Sequence, residues 1–170
     1  MGELYQGRLL VETGQTEGGL QRMLDALEAI RVTGTLHGWS QQAACLIAAC
    51  LKAGRVQQGL DALDKALPMV DETGERYFEA ELSRLKGELL RMDGDEGGAE
   101  ASLRQAIEVA QSQSARSWEL RATTSLAHLW QKQGRSREVR QMLAQVYDWF
   151  TEGFDTRDLE EARMLLEELT

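Results

Sequence analysis

Proline occurs once in this 170-residue chain, cysteine twice and histidine twice, and aromatic residues make up only 6% of it. With proline confined to Pro68, almost nothing interrupts a helix. The abundance of Ala, Leu, Gln and Glu favours helix throughout, and nothing in the pattern points to sheet. Cys45 and Cys50 lie five apart on one predicted helix and point to different sides, which excludes a disulfide or a shared metal and fits a reducing compartment. No apolar run approaches the ~20 residues of a membrane span, and no signal peptide precedes the first helical stretch, so the expected setting is cytoplasmic. Basic residues are also outnumbered, and a formal charge of -9 disfavours a nucleic-acid binder, which carries a basic face for phosphates.

Catalytic motifs are absent as well. The chain has no G-x-x-x-x-G-K-[ST], no G-x-G-x-x-G after a strand and no H-E-x-x-H, so no cofactor and no enzymatic activity are expected. The acidic stretch Asp93, Gly94, Asp95, Glu96 fails the EF-hand pattern at Gly97 and again at Arg104, and reads as a solvated turn. His37 falls in a predicted loop and carries no assigned role. Trp118, Trp130, Trp149 and Phe150 read as packing residues rather than a ligand cage.

What is present is a repeat. Glycine stands at 14, 54, 94 and 134, forty residues apart each time. Seven residues before each sit Gly7, Ile47, Gly87 and Ala127, and five after sit Gly19, Gly59, Ala99 and Val139, mostly small side chains that let helices approach. Nine after come Met23, Leu63, Leu103 and Leu143, and twelve after come Ala26, Ala66, Ala106 and Val146. These offsets share one stripe of a helix. Leu10, Cys50, Leu90 and Trp130, four before each glycine, give the preceding segment its own stripe. Each unit is predicted to be helix, glycine turn, helix, with C-caps near Gly34, Gly74, Ser114 and Gly153. A short pair cannot bury its own stripe, so units must stack, and 42% apolar content suffices for the core.

This pattern resembles the tetratricopeptide repeat, with a period of 40 in place of the usual ~34. The resemblance implies an all-α, right-handed solenoid of about four helix pairs, at about 1–36, 37–76, 77–115 and 116–153. A capping helix over 155–169 follows, headed by Asp155 or Thr156, with Leu159, Ala162, Leu166 and Leu169 on one stripe. The first unit has only Glu3 to Thr13 ahead of its glycine, so the chain reads as a piece of a longer array. Leu4, Leu9 and Leu10 would then lack a covering neighbour and could drive self-association. Pro68 is expected to kink or end the second helix of its unit.

The last third resembles a narrower group. SWELRATTSLA (Ser117 to Ala127), LWQKQGR (Leu129 to Arg135), YDWFTEGFDTRDLEEA (Tyr147 to Ala162) and ELSRLKGELL (Glu81 to Leu90) are similar to the C-terminal end of large bacterial signalling proteins. Those proteins join a class III adenylate or guanylate cyclase domain, or a transcription-factor-like domain, to an AAA-type ATPase module and a helical-repeat array. The resemblance implies a regulatory sensor or scaffold that binds a peptide segment or protein domain, including upstream domains of its own polypeptide.

In the tetratricopeptide family the first helix of each pair lines the inner surface. The matching positions are Gln41, Ala44, Ala48, Leu51 and Lys52 in the second unit and Glu81, Arg84, Glu88, Arg91 and Met92 in the third. In the fourth they are Arg121, Thr124, His128, Gln131 and Lys132. Such a wall would face an acidic or mixed peptide, with Arg donating in a fork to carboxylates. Glu81, Arg84, Glu88 and Arg91 also alternate in sign at helical spacing, as a solvated, self-paired face does. Arg121 and His128 have no acid nearby in sequence except Glu119, which favours a binding role for them. The alternatives to an interaction array are a purely structural or dimerisation segment and a small-ligand groove. No residue points to nucleic acid or membrane.

Overall fold

The computed structural model describes residues 2–34 and 38–169, so His37 lies outside the described residues. Those residues form α-helices α1 (Gly2–Glu12), α2 (Thr16–Thr33), α3 (Trp39–Lys52), α4 (Val56–Thr73), α5 (Glu79–Asp93), α6 (Glu96–Ser112), α7 (Arg116–Lys132), α8 (Ser136–Tyr147) and α9 (Arg157–Glu168), with a 3₁₀ turn at Arg76–Phe78. Among them there is no strand, and no helix is long and apolar enough to cross a membrane. The protein is all-α.

The glycine spacing reappears as backbone chemistry. Gly14, Gly54, Gly94 and Gly134 all have left-handed φ, between 69° and 90°. In every case the glycine N–H donates three residues back and the next N–H donates five residues back: Gln15 to Leu10, Arg55 to Cys50, Asp95 to Leu90 and Arg135 to Trp130, at 2.8 to 3.0 Å. This pair of bonds satisfies carbonyls that the end of a helix leaves open, and it needs a residue without a β-carbon penalty at the reversal. Ser114 repeats the geometry at the end of α6 with φ 53°, the one non-glycine in that region among the described residues. Asp95 caps α6 by accepting from the Gly98 N–H at 2.9 Å, so the acidic turn has a structural role.

The small positions bring backbones into contact. A β-carbon placed on Gly19 would stand 2.6 Å from the Gly7 carbonyl oxygen and 2.8 Å from the Val11 nitrogen. One on Gly87 would meet Leu103 at 2.6 Å and the Ala99 carbonyl at 3.1 Å. Three apolar clusters run along the chain, one over α1 to α3 around Met23 and Trp39, one over α3 to α5 around Ile47 and Leu63, and one over α6 to α9 around Leu103 and Leu143. Helices α1, α3, α5, α7 and α9 touch one another in succession and form a single row. Between units, Glu75 of the α4 to α5 connection accepts from the Gly38 N–H at 2.6 Å and from the Ser40 N–H and hydroxyl at 3.2 Å, closing the start of α3.

Several expectations need correction. α4 does not end at Pro68 but runs on to Thr73. Pro68 and Asp64 both lie on the exposed side, where water can take the carbonyl that the proline ring leaves without a donor. Leu4 is buried at 3% exposure and Leu10 is half-buried, because α2 and α3 cover them, and only Leu9 is largely exposed. Ala26 and Val146 are only half-buried, whereas Ala66 and Ala106 are fully enclosed. The contacts of α2 with α3 and of α8 with α9 are sparser than those of α4 with α5 and α6 with α7. Thr156 heads α9, but its hydroxyl donates back to the Gly153 carbonyl at 2.7 Å and does not cap the helix. Trp149 is exposed, its ring covered only by the Arg116 guanidinium 4.9 Å away and by the edge of Phe150.

Gly19→Ala should lower stability by about 1–3 kcal/mol, since the new methyl meets backbone that cannot step aside. Gly18→Ala, next to it with open space around its β-carbon, should raise stability by about 0.5–1 kcal/mol through helix propensity. Urea melts of both would check this, and opposite signs are required. Leu103→Ala, at a fully buried position, should cost about 2–5 kcal/mol.

Candidate functional site: a polar groove along the inner helices

The row of α3, α5, α7 and α9 forms one wall of an elongated groove made of two confluent cavities of about 700 and 680 Å³ that share Leu51, Arg121 and Arg157. One half has an apolar floor of Ala44, Ala48, Leu51, Phe78 and Trp118. The other half is polar, lined by Arg84, Glu88, Arg91, Thr124, Ser125 and His128 with Lys132 at its end. Of the residues expected to face a partner, Arg84, Glu88, Arg91, Arg121, Thr124, His128 and Lys132 come together here. Two do not. Gln41 lines a separate cavity of about 180 Å³ beside Leu4, Tyr5 and Tyr77, and Gln131 turns toward α9, donating to Glu168 at 3.4 Å.

Glu81 is the centre of the groove's chemistry. It sits in the first turn of α5 with 5% exposure and accepts two bonds from Arg84, one helical turn on, at 2.8 and 2.9 Å. Arg121 of α7 approaches the same carboxylate at 3.1 Å. Arg84 also donates to the Ser125 hydroxyl at 3.2 Å, so a single carboxylate and its partner lock α5 to α7. Burial by itself would make Arg84 less basic, but the bonds and charge of Glu81, with Glu88 and Asp158 further off, carry it above its ordinary value. Arg91 chelates one oxygen of Glu88 at 2.7 and 3.0 Å. Thr124 is spent locally, its hydroxyl donating to the Leu120 carbonyl at 2.9 Å.

The self-paired reading therefore holds for the third unit, and the idea that Arg121 and His128 lack acidic neighbours is wrong. Arg121 meets Glu81 and, at 3.7 Å, Asp158, while its guanidinium lies 5.2 Å from the centre of the Trp118 ring. His128 Nε2 is 3.2 Å from Glu161. The partners come from α5, one unit back, and from α9, more than thirty residues on, so local sequence could not reveal them. Arg157, Asp158 and Glu161 belong to the groove although α9 reads from sequence only as a cap. The available signal was their place along one side of the Leu159 and Ala162 stripe, with Arg157 and Glu161 one turn apart. Arg8 and Glu12 of α1 complete the apolar end and pair with each other at 3.0 Å.

Among the described residues no cluster of His, Cys, Asp and Glu could hold a metal ion. Neither cysteine is bonded. Burial pushes the Cys50 thiol up to about 11, which makes it a packing residue at neutral pH. The chain matches no protein-family model and no curated protein.

Removing the Glu81 charge should expose the dependence of the groove on it. Glu81→Gln is expected to cost about 3–5 kcal/mol, because Arg84, 12% exposed, would be left without its counter-charge. The double change Glu81→Leu with Arg84→Leu should cost clearly less than the sum of the two single changes. Strictly additive costs in that double-mutant cycle would show that the pair is not coupled.

Proposed function

We propose that this chain is a protein-interaction array, a right-handed solenoid of four tetratricopeptide-like helix pairs whose inner groove holds an extended peptide. The reading rests on one observation: the groove is continuous across four successive inner helices, with an apolar floor between charged side chains in one half and a mainly polar lining in the other. A small ligand needs a closed pocket with a few convergent polar groups, whereas a peptide needs a long trough with separate sites for alternate side chains. Phe78 and Trp118, their ring centres 5.2 Å apart, provide a rigid wall beside the Ala44 and Ala48 floor where an apolar side chain can rest. The resemblance of the Ser117 to Ala162 stretch to the ends of bacterial cyclase and ATPase regulators gives this array its place. It is a C-terminal sensor or scaffold, and its ligand is a segment of another protein or of its own upstream domains.

Ala48 is exposed on the floor, so Ala48→Trp fills the groove without disturbing the core. Peptides selected from a random displayed library on the unaltered protein should bind the Ala48→Trp variant at least tenfold more weakly, as measured by fluorescence anisotropy. Equal affinity would place binding elsewhere and defeat the groove reading, and failure to select any peptide would count against an interaction array.

A further inference from the structure

Seven Lys and Arg line the groove against five Asp and Glu, a surplus of two, in a chain of formal charge -9; the rest of the surface therefore carries a formal -11. Each of the five acids is already matched: Glu12 with Arg8, Glu81 with Arg84, Glu88 with Arg91, Asp158 with Arg121 and Glu161 with His128. Three cations remain, Lys52 at the end of α3, Lys132 at the end of α7 and Arg157 at the start of α9. All three are exposed, and none of their side chains has an ion pair or hydrogen bond among the described residues.

Building on the peptide-groove reading, we infer that the ligand is an acidic polypeptide segment whose carboxylates reach Lys52, Arg157 and Lys132 and whose apolar side chain rests against Phe78 and Trp118. Charge complementarity selects it. The exterior is acidic on balance and the groove basic, so an anion is drawn toward the groove, where the field acts over a Debye length of about 8–10 Å. Lys52 and Arg157 line the same half of the groove and Lys132 stands at the end of the other half, so one short extended segment can meet all three. A nucleic acid fits less well. Its phosphates continue at regular spacing beyond the groove and onto acidic surface, so they lose at the ends what they gain at three cations. Because the groove's own acids are paired internally, the ligand needs to break no buried pair to bind.

The probe is a fluorescein-labelled peptide of about nine residues that alternates Glu with Ala around one central Leu. Its controls are the same peptide with every Glu changed to Gln, and a labelled oligothymidine of similar length. The acidic peptide should bind at least tenfold more tightly than its Gln counterpart. It should lose at least tenfold on Lys52→Glu, Lys132→Glu, Arg157→Glu combined, with an unchanged thermal melt, and its affinity should fall less steeply with salt in that variant. Equal binding of the Gln peptide, blocked by Ala48→Trp, would overturn the acidic assignment while leaving the peptide groove standing. Tighter binding of oligothymidine than of either peptide would overturn both. Full binding of the acidic peptide to the triple variant would also overturn the assignment.

Discussion

The structure depends on backbones being allowed to touch where paired helices cross. Gly7 against Gly19 and Gly87 against the Ala99 and Leu103 segment leave no room for a larger side chain, and the stripes that carry Met23, Leu63, Leu103 and Leu143 can bury only because the axes come this close. A methyl at Gly19 would separate two main chains, not two flexible tips. Next to these crossings, the left-handed glycines reverse the chain and satisfy the last carbonyls of each first helix at once. Since the glycine stands at a fixed offset, every pair reverses through the same bonds, and the two pairs with Gly or Ala at both crossing positions, α1 with α2 and α5 with α6, pack most closely. The first helices then fall in one row.

That row has electrostatic consequences. Bringing α5 beside α7 puts Glu81 under both Arg84 and Arg121, and bringing α7 beside α9 puts His128 opposite Glu161. A buried carboxylate with two guanidinium partners adds little net stability over apolar packing, but it is intolerant of losing one member. It specifies how adjacent units dock. An apolar contact could slide by a fraction of a turn, whereas the bond from Arg84 to Ser125 and the pairing of Arg121 with Glu81 fix α5 against α7 in one register. The Glu75 carboxylate at the start of α3 serves the same end from the opposite side, holding a connection to the unit before it.

How far the sequence could be read follows from how local each cause is. The reversals at Gly14, Gly54, Gly94 and Gly134, the C-cap at Ser114 and the buried Leu103 stripe depend on residues within a dozen positions, and all were legible. Of the two outcomes expected at Pro68, the helix end does not occur, because breaking depends on whether a freed carbonyl can find water, which is a property of the outer face and not of the proline. Arg121 and His128 misled more seriously. Their neighbours in sequence contain almost no acid, yet each finds one across a helix contact set by the stacking of units. Twelve of the fifteen inner-face positions meet in the groove, since inner-face offsets follow from helical periodicity alone. Gln41 and Gln131 leave it because α1 and α9 flank the row at its ends and draw them away.

A groove whose wall was wholly unpaired would be a poor discriminator, because strongly hydrated cations attract any anion and the array would repel itself along its length. Pairing Arg84, Arg91 and Arg121 internally removes most of that field and makes those residues part of the scaffold. On the proposed peptide-groove reading, selectivity then passes to the few cations that the scaffold leaves over. Lys52, Arg157 and Lys132 belong to three different helices, so a ligand gains from all of them only when its carboxylates are spaced to the stacking of the units. The same crossings that let α5 and α7 approach each other thus set the spacing at which an acidic segment would be recognised. Widening the crossing between α5 and α6 at Gly87 should therefore disturb recognition as well as stability, even though Gly87 lies in the packed core and touches no ligand.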